Sequence, residues 1–496
     1  MLQNWLQLEK PNDSILISIS YLAQFKPSKL TRCESDNIHF LSFFSQAITY
    51  LEFIIYSNLH FPTMASKLFS QTLLLVLVAA LYITQTFSTT KAPVTKGLRL
   101  GLKRVDEGGN FTKLELLQRA IKRGKNRLQR LSTMVKTATT TADDEIQSTI
   151  IPGEGDFIIH LYIGTPPVNY NAIMDTGSDL IWSQCKPCIN CYEQNTPILD
   201  PNTSSSFSKI SCSSKFCDDL SASMCGDDGC EYLYAYGDSS STQGVMATET
   251  LTFEGNPNIS IPNIAFGCGE DNEGDGFKQG QGLVGLGRGP LSLISQMGYE
   301  KFSYCLGSIE SSSSTLVLGS FPKKKDESVL TTPLSQNPTQ PTFYYVSLEG
   351  ITVGDSLLPI PKTTFTIKKD GTGGMIVDSG TTLTYLEESG YKLVKKAFSS
   401  QIKLPVSDID TGLDLCFDLT NGTDVEVPKL TFHFKGADLE LPVENYLMYD
   451  SSMGLLCLMM GPSTGLSVFG NVQQQNFLIL HDLGKETMSF VPHQCD

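Results

Sequence analysis

The chain has 496 residues, a net charge of −15, 41 glycines, 24 prolines and 13 cysteines. That length exceeds one ordinary core, and the Gly and Pro content with frequent Ser/Thr clusters argues against a helical bundle and for an all-β protein. Residues 91–135 carry 12 Lys and Arg against 3 Asp and Glu, whereas residues 136–496 carry 20 against 44. An acidic body of this kind repels phosphate, so nucleic acid is not an expected partner.

In chain order, residues 64–90 combine a Met, a Lys, an apolar run at Leu73–Ile83 and a small polar tail, the pattern of a secretory signal peptide. The apolar run is short for a membrane span. A signal belongs at an N-terminus, so Met64 reads as the working start and residues 1–63 as an upstream extension. Residues 91–149 read as a basic propeptide. Its segment 111–131 is partly amphipathic and predicts a helix over Lys113–Leu131. Lys and Arg on that segment can pair with ionised carboxylates of a cleft, an attraction that fades when acid protonates them. The polar stretch 137–148 predicts an exposed cleavage zone, with the mature start between residues 137 and 155.

Two lobes follow, residues 150–310 and 311–496, with the Ser run 311–314 as the linker. Phe157–Ile163, Phe343–Leu348 and Leu478–Leu480 alternate as strands. Glu388–Gln401 predicts a helix with Tyr391, Val394, Phe398 and Ile402 on one stripe.

One short motif occurs in each lobe. Residues 173–182 read I-M-D-T-G-S-D-L-I-W, and residues 376–383 read I-V-D-S-G-T-T-L. Each places a carboxylate, Asp175 or Asp378, behind an apolar strand and ahead of a hydroxyl, a glycine and a second hydroxyl. A single copy reads as an ordinary turn. Two copies facing each other make a site with two carboxylates about 3 Å apart, which cannot both ionise and so share a proton. The ionised member can take a proton from water, while the protonated member polarises a carbonyl. Gly177 and Gly380 permit the tight turn, and the hydroxyls of Thr176, Ser178, Ser379 and Thr381 can bond across the loops or to the carboxylates.

Twelve cysteines lie between Cys185 and Cys495, and Cys33 stands alone upstream. The spacing Cys185-x2-Cys188-x2-Cys191, Cys212-x4-Cys217 and Cys225-x4-Cys230 could suit zinc or redox chemistry. No histidine lies among them, and a secretory leader favours disulfides, so no metal is expected. The spacing leaves connectivity open. His160, His433, His481 and His493 are scattered, and no organic cofactor is implied. Sequons at Asn110, Asn202, Asn258 and Asn421 are glycosylation candidates.

From about Asp156 to Cys495 the chain resembles pepsin-type aspartic proteases, most closely the plant nepenthesin branch. The resemblance rests on D-T-G-S-D-L-I-W, Y-G-D at Tyr236, I-A-F-G-C-G (264–269), G-L-V-G-L-G-R-G-P-L-S-L (282–293), K-F-S-Y-C (301–305), V-D-S-G-T-T-L-T-Y and S-V-F-G-N-V-Q-Q-Q-N (467–476). It implies a bilobal fold of two β-barrel-like lobes around a cleft. Tyr236, followed by Gly237, would be the tyrosine of a hairpin flap, with its hydroxyl directed toward Trp182. Segments 282–287 and 467–471 would be strands crossing behind the catalytic loops. The resemblance implies disulfides 185–188, 191–268, 212–230, 217–225, 305–495 and 416–457, the first four clamping a Cys-rich insert at 185–230.

The implied activity is that of a secreted acid endopeptidase made as a zymogen, with water rather than a side chain as nucleophile. Implied partners are protein or peptide substrates, the protein's own propeptide and pepstatin-type inhibitors, and the implied state is a monomer. The expected location is extracellular, the apoplast, with the vacuole as the alternative. The competing reading is a catalytically silent binding or inhibitor protein of the plant cell wall. Such proteins typically lose a catalytic Asp or the flap, and Asp175, Asp378 and Tyr236 are all present here.

Overall fold

Leu98, Leu100 and Leu102 are buried while Arg99, Gly101 and Lys103 face solvent, the period-two pattern of a half-buried strand. In the computed structural model, residues 98–106, 109–137, 157–194, 196–227, 229–235, 240–254, 258–274, 280–308, 314–320, 329–419 and 425–495 are described. The expected extension 1–63, signal 64–90 and nearly all of the cleavage zone 137–148 lie outside them. So do residues 311–313 of the expected linker; its last residue, Ser314, begins a strand.

Strand β1 (Leu98–Arg104) leads into helix α1 (Lys113–Thr137), six residues longer than the sequence pattern predicts. A reciprocal cap starts the helix: Glu115 N–H donates to Thr112 Oγ1 (3.2 Å), and Thr112 N–H donates to Glu115 Oε2 (2.7 Å). The first lobe contains β2 (Phe157–Ile163), β3 (Val168–Asp175), β4 (Trp182–Gln184), β5 (Ser223–Gly226), β6 (Gly229–Ala235), β7 (Ser241–Phe253), β8 (Ile259–Glu273) and β9 (Gly282–Gly285). Next come β10 (Lys301–Cys305) and β11 (Ser314–Leu318). The second lobe contains β12 (Met375–Val377), β13 (Thr384–Glu387), α2 (Glu388–Gln401), β14 (Ser467–Phe469), β15 (Phe477–Asp482) and β16 (Thr487–Pro492). Among the described residues, no helix is long and apolar enough to cross a membrane.

One sheet joins the lobes. β1 pairs antiparallel with β2 on one side and β11 on the other, β11 pairs with β10, β10 with β15, and β15 with β16. Its register aligns Leu98, Leu318, Phe302 and His481 as directly opposed residues. The basic N-terminal segment is therefore part of the frame.

Six disulfides form among the described residues. Cys305–Cys495 and Cys416–Cys457 pair as the resemblance implies. The other four differ: the bridges are Cys185–Cys268, Cys188–Cys191, Cys212–Cys225 and Cys217–Cys230. Strand register and burial account for this. β4 runs parallel to β8 with Ser183 beside Cys268, which brings the buried Cys185 to a Cα separation of 5.2 Å from Cys268. In the β5–β6 hairpin the buried Cys230 faces the core beside buried Cys217, while exposed Cys225 is left to Cys212.

His481 is fully buried with neither ring nitrogen hydrogen-bonded, and stacks on Phe302 at 4.1 Å between centroids, with the rings of Tyr304 and Tyr344 alongside. Burial holds its pKa down at about 3. Below the usual histidine value the unfolded chain takes a proton that the folded one does not, so this site costs stability as pH falls toward 3. The total is on the order of 4 kcal/mol. His481→Leu should therefore gain stability over the parent at pH 4 and little at pH 7.5, measured by denaturant unfolding at both.

Candidate active site

The two Asp loops are built alike. β3 ends at Asp175 and runs parallel to β9, with Gly285 opposite Asp175. β12 ends just before Asp378 and runs parallel to β14. The crossing strands approach so closely that only glycine fits. A Cβ on Gly285 would lie 2.3 Å from the Asp179 carbonyl, and one on Gly470 would lie 2.2 Å from Leu383 O. Segments 282–287 and 467–471 thus run behind the loops.

Both carboxylates are buried and held in matching cradles. Asp175 accepts from Gly177 N–H (2.8 Å) and Ser178 Oγ (2.6 Å). Asp378 accepts from Gly380 N–H (3.1 Å) and Thr381 Oγ1 (2.5 Å). The loops are tied to each other where Ser379 N–H donates to Thr176 Oγ1 (3.1 Å) and Thr176 Oγ1 donates to Asp378 Oδ1 (3.2 Å). From behind, Gln474 Nε2 donates to Asp378 O (3.3 Å), and Tyr304 Oη donates to Gln474 Oε1 (2.5 Å).

Helix α1 fills the cleft between the loops. Its Arg127 Nη2 donates to Asp175 Oδ1 and to Asp378 Oδ1 (2.6 Å), and its Nε donates to Asp378 Oδ2 (2.5 Å). One buried guanidinium thus bridges both carboxylates. Burial pulls the Arg127 pKa down, but the charges of Asp175 and Asp378 and their hydrogen bonds outweigh it and hold it above the ordinary arginine value. The guanidinium lies on the glycine turns: a Cβ on Gly380 would meet Arg127 Cζ at 2.4 Å, and one on Gly177 would meet Nη2 at 2.7 Å. On one side of Arg127, Leu114, Leu117 and Ile121 pack on Leu383, Tyr385, Met448, Met459 and Val472. On the other, Leu131 and Val135 pack on Phe343, Tyr345, Ile376, Leu466 and Val468. Thr382 Oγ1 donates to Ala120 O (2.5 Å), and Gly124 packs so closely on Thr382 that a Cβ there would lie 3.0 Å from the Thr382 Cβ and N.

The structure brings Asp175, Thr176, Gly177, Ser178, Asp378, Ser379, Gly380 and Thr381 together. Trp182 lies fully buried in the first-lobe core, where its backbone carbonyl accepts from Tyr170 Oη (2.6 Å). Tyr236 and Gly237 lie outside the described residues, as does Asn421; Asn110, Asn202 and Asn258 are exposed. Sequence reading did not single out Arg127. Its signal was available: Leu117, Ile121, Gly124, Arg127, Leu131 and Val135 follow helical spacing, so a cation stands in the middle of an apolar stripe. Strand β1, Asp179, Tyr304 and Gln474 were also missed, because their partners are far away in sequence.

The matching family models are "Xylanase inhibitor N-terminal" over residues 157–320 and "Xylanase inhibitor C-terminal" over residues 343–492. The sequence is 47% identical to aspartic proteinase nepenthesin-2 of Nepenthes gracilis over 445 residues, covering 87% of this chain and 99% of that one. Identity to nepenthesin-1 of the same plant is also 47%, with the same coverage. Aspartyl protease family protein 2 of Arabidopsis thaliana is 39% identical, covering 75% of this chain and 81% of its own. Among solved structures, edgp superposes with a TM-score of 0.56 at 20% identity, covering 69% of this chain and 96% of that one. Basic 7S globulin from soybean gives 0.54 at 19%, covering 68% and 92%. At that identity the structures speak for the fold alone, a bilobal all-β pepsin-like protein. The sequence relatives go further: the chain belongs to the nepenthesin-type aspartic proteinases of plants. It is an aspartic-type endopeptidase acting on peptide substrates.

Asp179 is partly buried, with its carboxyl set against Gly287 and Gly289. Burial raises its pKa to about 6; hydrogen bonds from Thr342 and Gly289 pull it down, and the Asp175 charge adds to the rise. Tyr344, itself raised by burial and by the Asp179 charge, and Arg288 stand nearby. The folded state keeps this proton after the unfolded chain has lost it, so stability present below pH 3.8 is lost as pH rises through about 6. Asp179→Asn cannot ionise and should stand above the parent by up to about 3 kcal/mol at pH 7 relative to pH 3.5. Paired unfolding curves at the two pH values check this.

Proposed function

We propose that the protein is a secreted acid endopeptidase made as a zymogen, in which Asp175 and Asp378 activate the attacking water and residues 98–137 belong to the inhibitory propeptide. The observation that carries this reading is the single guanidinium of Arg127 on both carboxylates. One nitrogen, Arg127 Nη2, donates to an oxygen of each carboxylate, so the two groups face each other across a single bridging atom; once the cation leaves, their like charges favour holding one proton between them. The ionised member then takes a proton from water as the oxygen attacks the scissile carbonyl, and the protonated member gives its proton to the carbonyl oxygen. As the tetrahedral diol collapses, one hydroxyl gives its proton to the now ionised carboxylate while the carboxyl that took the water proton protonates the departing amine, so the dyad ends with one proton as it began. Ser178 and Thr381 would hold each carboxylate in place through this cycle.

Latch and catalyst need different protonation states. Arg127 is best held by two negative charges, whereas catalysis needs one shared proton. Acid protonates a carboxylate, weakens the latch and prepares the dyad in one step. The apolar surfaces under Leu117, Ile121, Leu131 and Val135 support a preference for apolar substrate side chains on both sides of the cut. The signal-like segment 64–90 and the six disulfides support secretion. A silent binding protein is not favoured, since both aspartates and their hydroxyl partners are present.

Asp175→Asn and Asp378→Asn should each lower pepstatin-sensitive hydrolysis of a denatured protein at about pH 3.5 by at least about 10³-fold while the protein still folds. Retained cleavage in either variant would refute the dyad. Arg127→Gln removes the charge from a buried triad and leaves two carboxylates without their cation. Its propeptide should be lost about a pH unit or more above the parent's threshold, read by mass spectrometry of the N-terminus across a pH series.

A further inference from the structure

Asp179 lies four residues beyond Asp175 on the same loop, and its two oxygens face different lobes. Oδ1 accepts from Gly289 N–H (2.8 Å), while Oδ2 accepts from Thr342 Oγ1 (2.6 Å), 163 residues away. The backbone around this carboxyl is a continuous ladder. Leu286 N–H donates to Asp175 O (2.8 Å), Gly287 N–H to Ser178 O (2.9 Å), and Arg288 N–H to Thr342 O (3.0 Å). Tyr344, two residues after Thr342, donates its hydroxyl to Leu286 O (2.6 Å). The Tyr344 carbonyl in turn accepts from Val377 N–H (3.0 Å), and Val377 precedes Asp378. A path of direct contacts thus runs from the Asp175 loop through Asp179 and Thr342 to the strand that delivers Asp378.

We propose that Asp179 is a positioning residue for the catalytic pair, clamping the loop of Asp175 to Gly289 in the first lobe and to Thr342 in the second. The proposal rests on the reading of Asp175 and Asp378 as the dyad. Thr176 and Ser379 tie the two loops directly; Asp179 ties the Asp175 loop to the Thr342–Tyr344 segment, which is bonded to the strand that carries Asp378. Gly287 and Gly289 make room for the carboxyl, since a Cβ at either would lie within 2.3 Å of its oxygens. An amide can keep both contacts, its oxygen accepting from Gly289 and its nitrogen donating to Thr342 Oγ1. Alanine can keep neither.

The test uses the full chain, secreted and acid-processed, with active sites counted by pepstatin titration. Asp179→Ala and Thr342→Val should each lower kcat per titrated site by about 10- to 100-fold, with KM changed less than about threefold. Asp179→Asn and Thr342→Ser should return kcat to within about fivefold of the parent. Unchanged kcat in Asp179→Ala or Thr342→Val overturns the clamp, as does an Asn variant no better than Ala. If Asp179→Ala is not secreted, the Val and Ser variants of Thr342 decide by the same criterion. A parent that processes itself but cuts nothing overturns the dyad reading, and the clamp with it. A parent that cuts, matched by all four variants, overturns the clamp alone.

Discussion

A single buried cation between two buried carboxylates organises this molecule. Taking Arg127, Asp175 and Asp378 out of water costs several kcal/mol per ion, and the arrangement holds only because opposite charges and the loop donors compensate. Much of the surrounding structure serves that compensation. Gly177 and Gly380 leave room for the flat guanidinium, and Gly124 lets the helix backbone come down onto Thr382. Apolar residues on either side of Arg127 seal the cleft from water, which strengthens the charge interaction they flank. The same enclosure makes the cation depend on both carboxylates, since removing one negative charge leaves part of its cost unmatched.

The basic segment is joined to the body in two physically different ways. Helix α1 blocks the cleft through charge and apolar contact, whereas β1 completes the sheet between β2 and β11 by backbone hydrogen bonding. Arg119 and Arg123 on α1 both bind Asp106 just after β1, which links the two modes. On the proposed reading, protonation of a carboxylate would weaken the first mode and leave backbone pairing untouched, so release of the helix and release of the strand would be separable events.

Two desolvated ionisable groups, the buried His481 and the partly buried Asp179, oppose each other across the acid range. His481, in the sheet joining the lobes, resists taking a proton as pH falls, and Asp179, on the Asp175 loop, resists losing one as pH rises. Desolvation drives both shifts, in opposite directions because one group is cationic and the other anionic when charged. Both lie near the junction of the lobes, where a sheet and a hydrogen-bond ladder hold the two Asp loops in register.

The repeated D-T-G and D-S-G motifs made the two Asp loops legible in the sequence, because strand, turn glycine and hydroxyl donors are all local neighbours of the carboxylate. The helix at Glu388–Gln401 and the strand at Phe157–Ile163 were legible for the same reason, through apolar periodicity within a few residues. Basic charge in residues 91–135 foretold attraction to an acidic cleft but not which side chain would enter it. Only the tertiary structure chose Arg127, since that choice depends on where the helix stripe meets two loops 48 and 251 residues away. The disulfide pairing in the Cys-rich insert was likewise decided by strand register and burial, which spacing does not encode. Asp179 and Thr342 became partners only when the two lobes met, because a hydrogen bond between distant segments leaves no periodic trace in either.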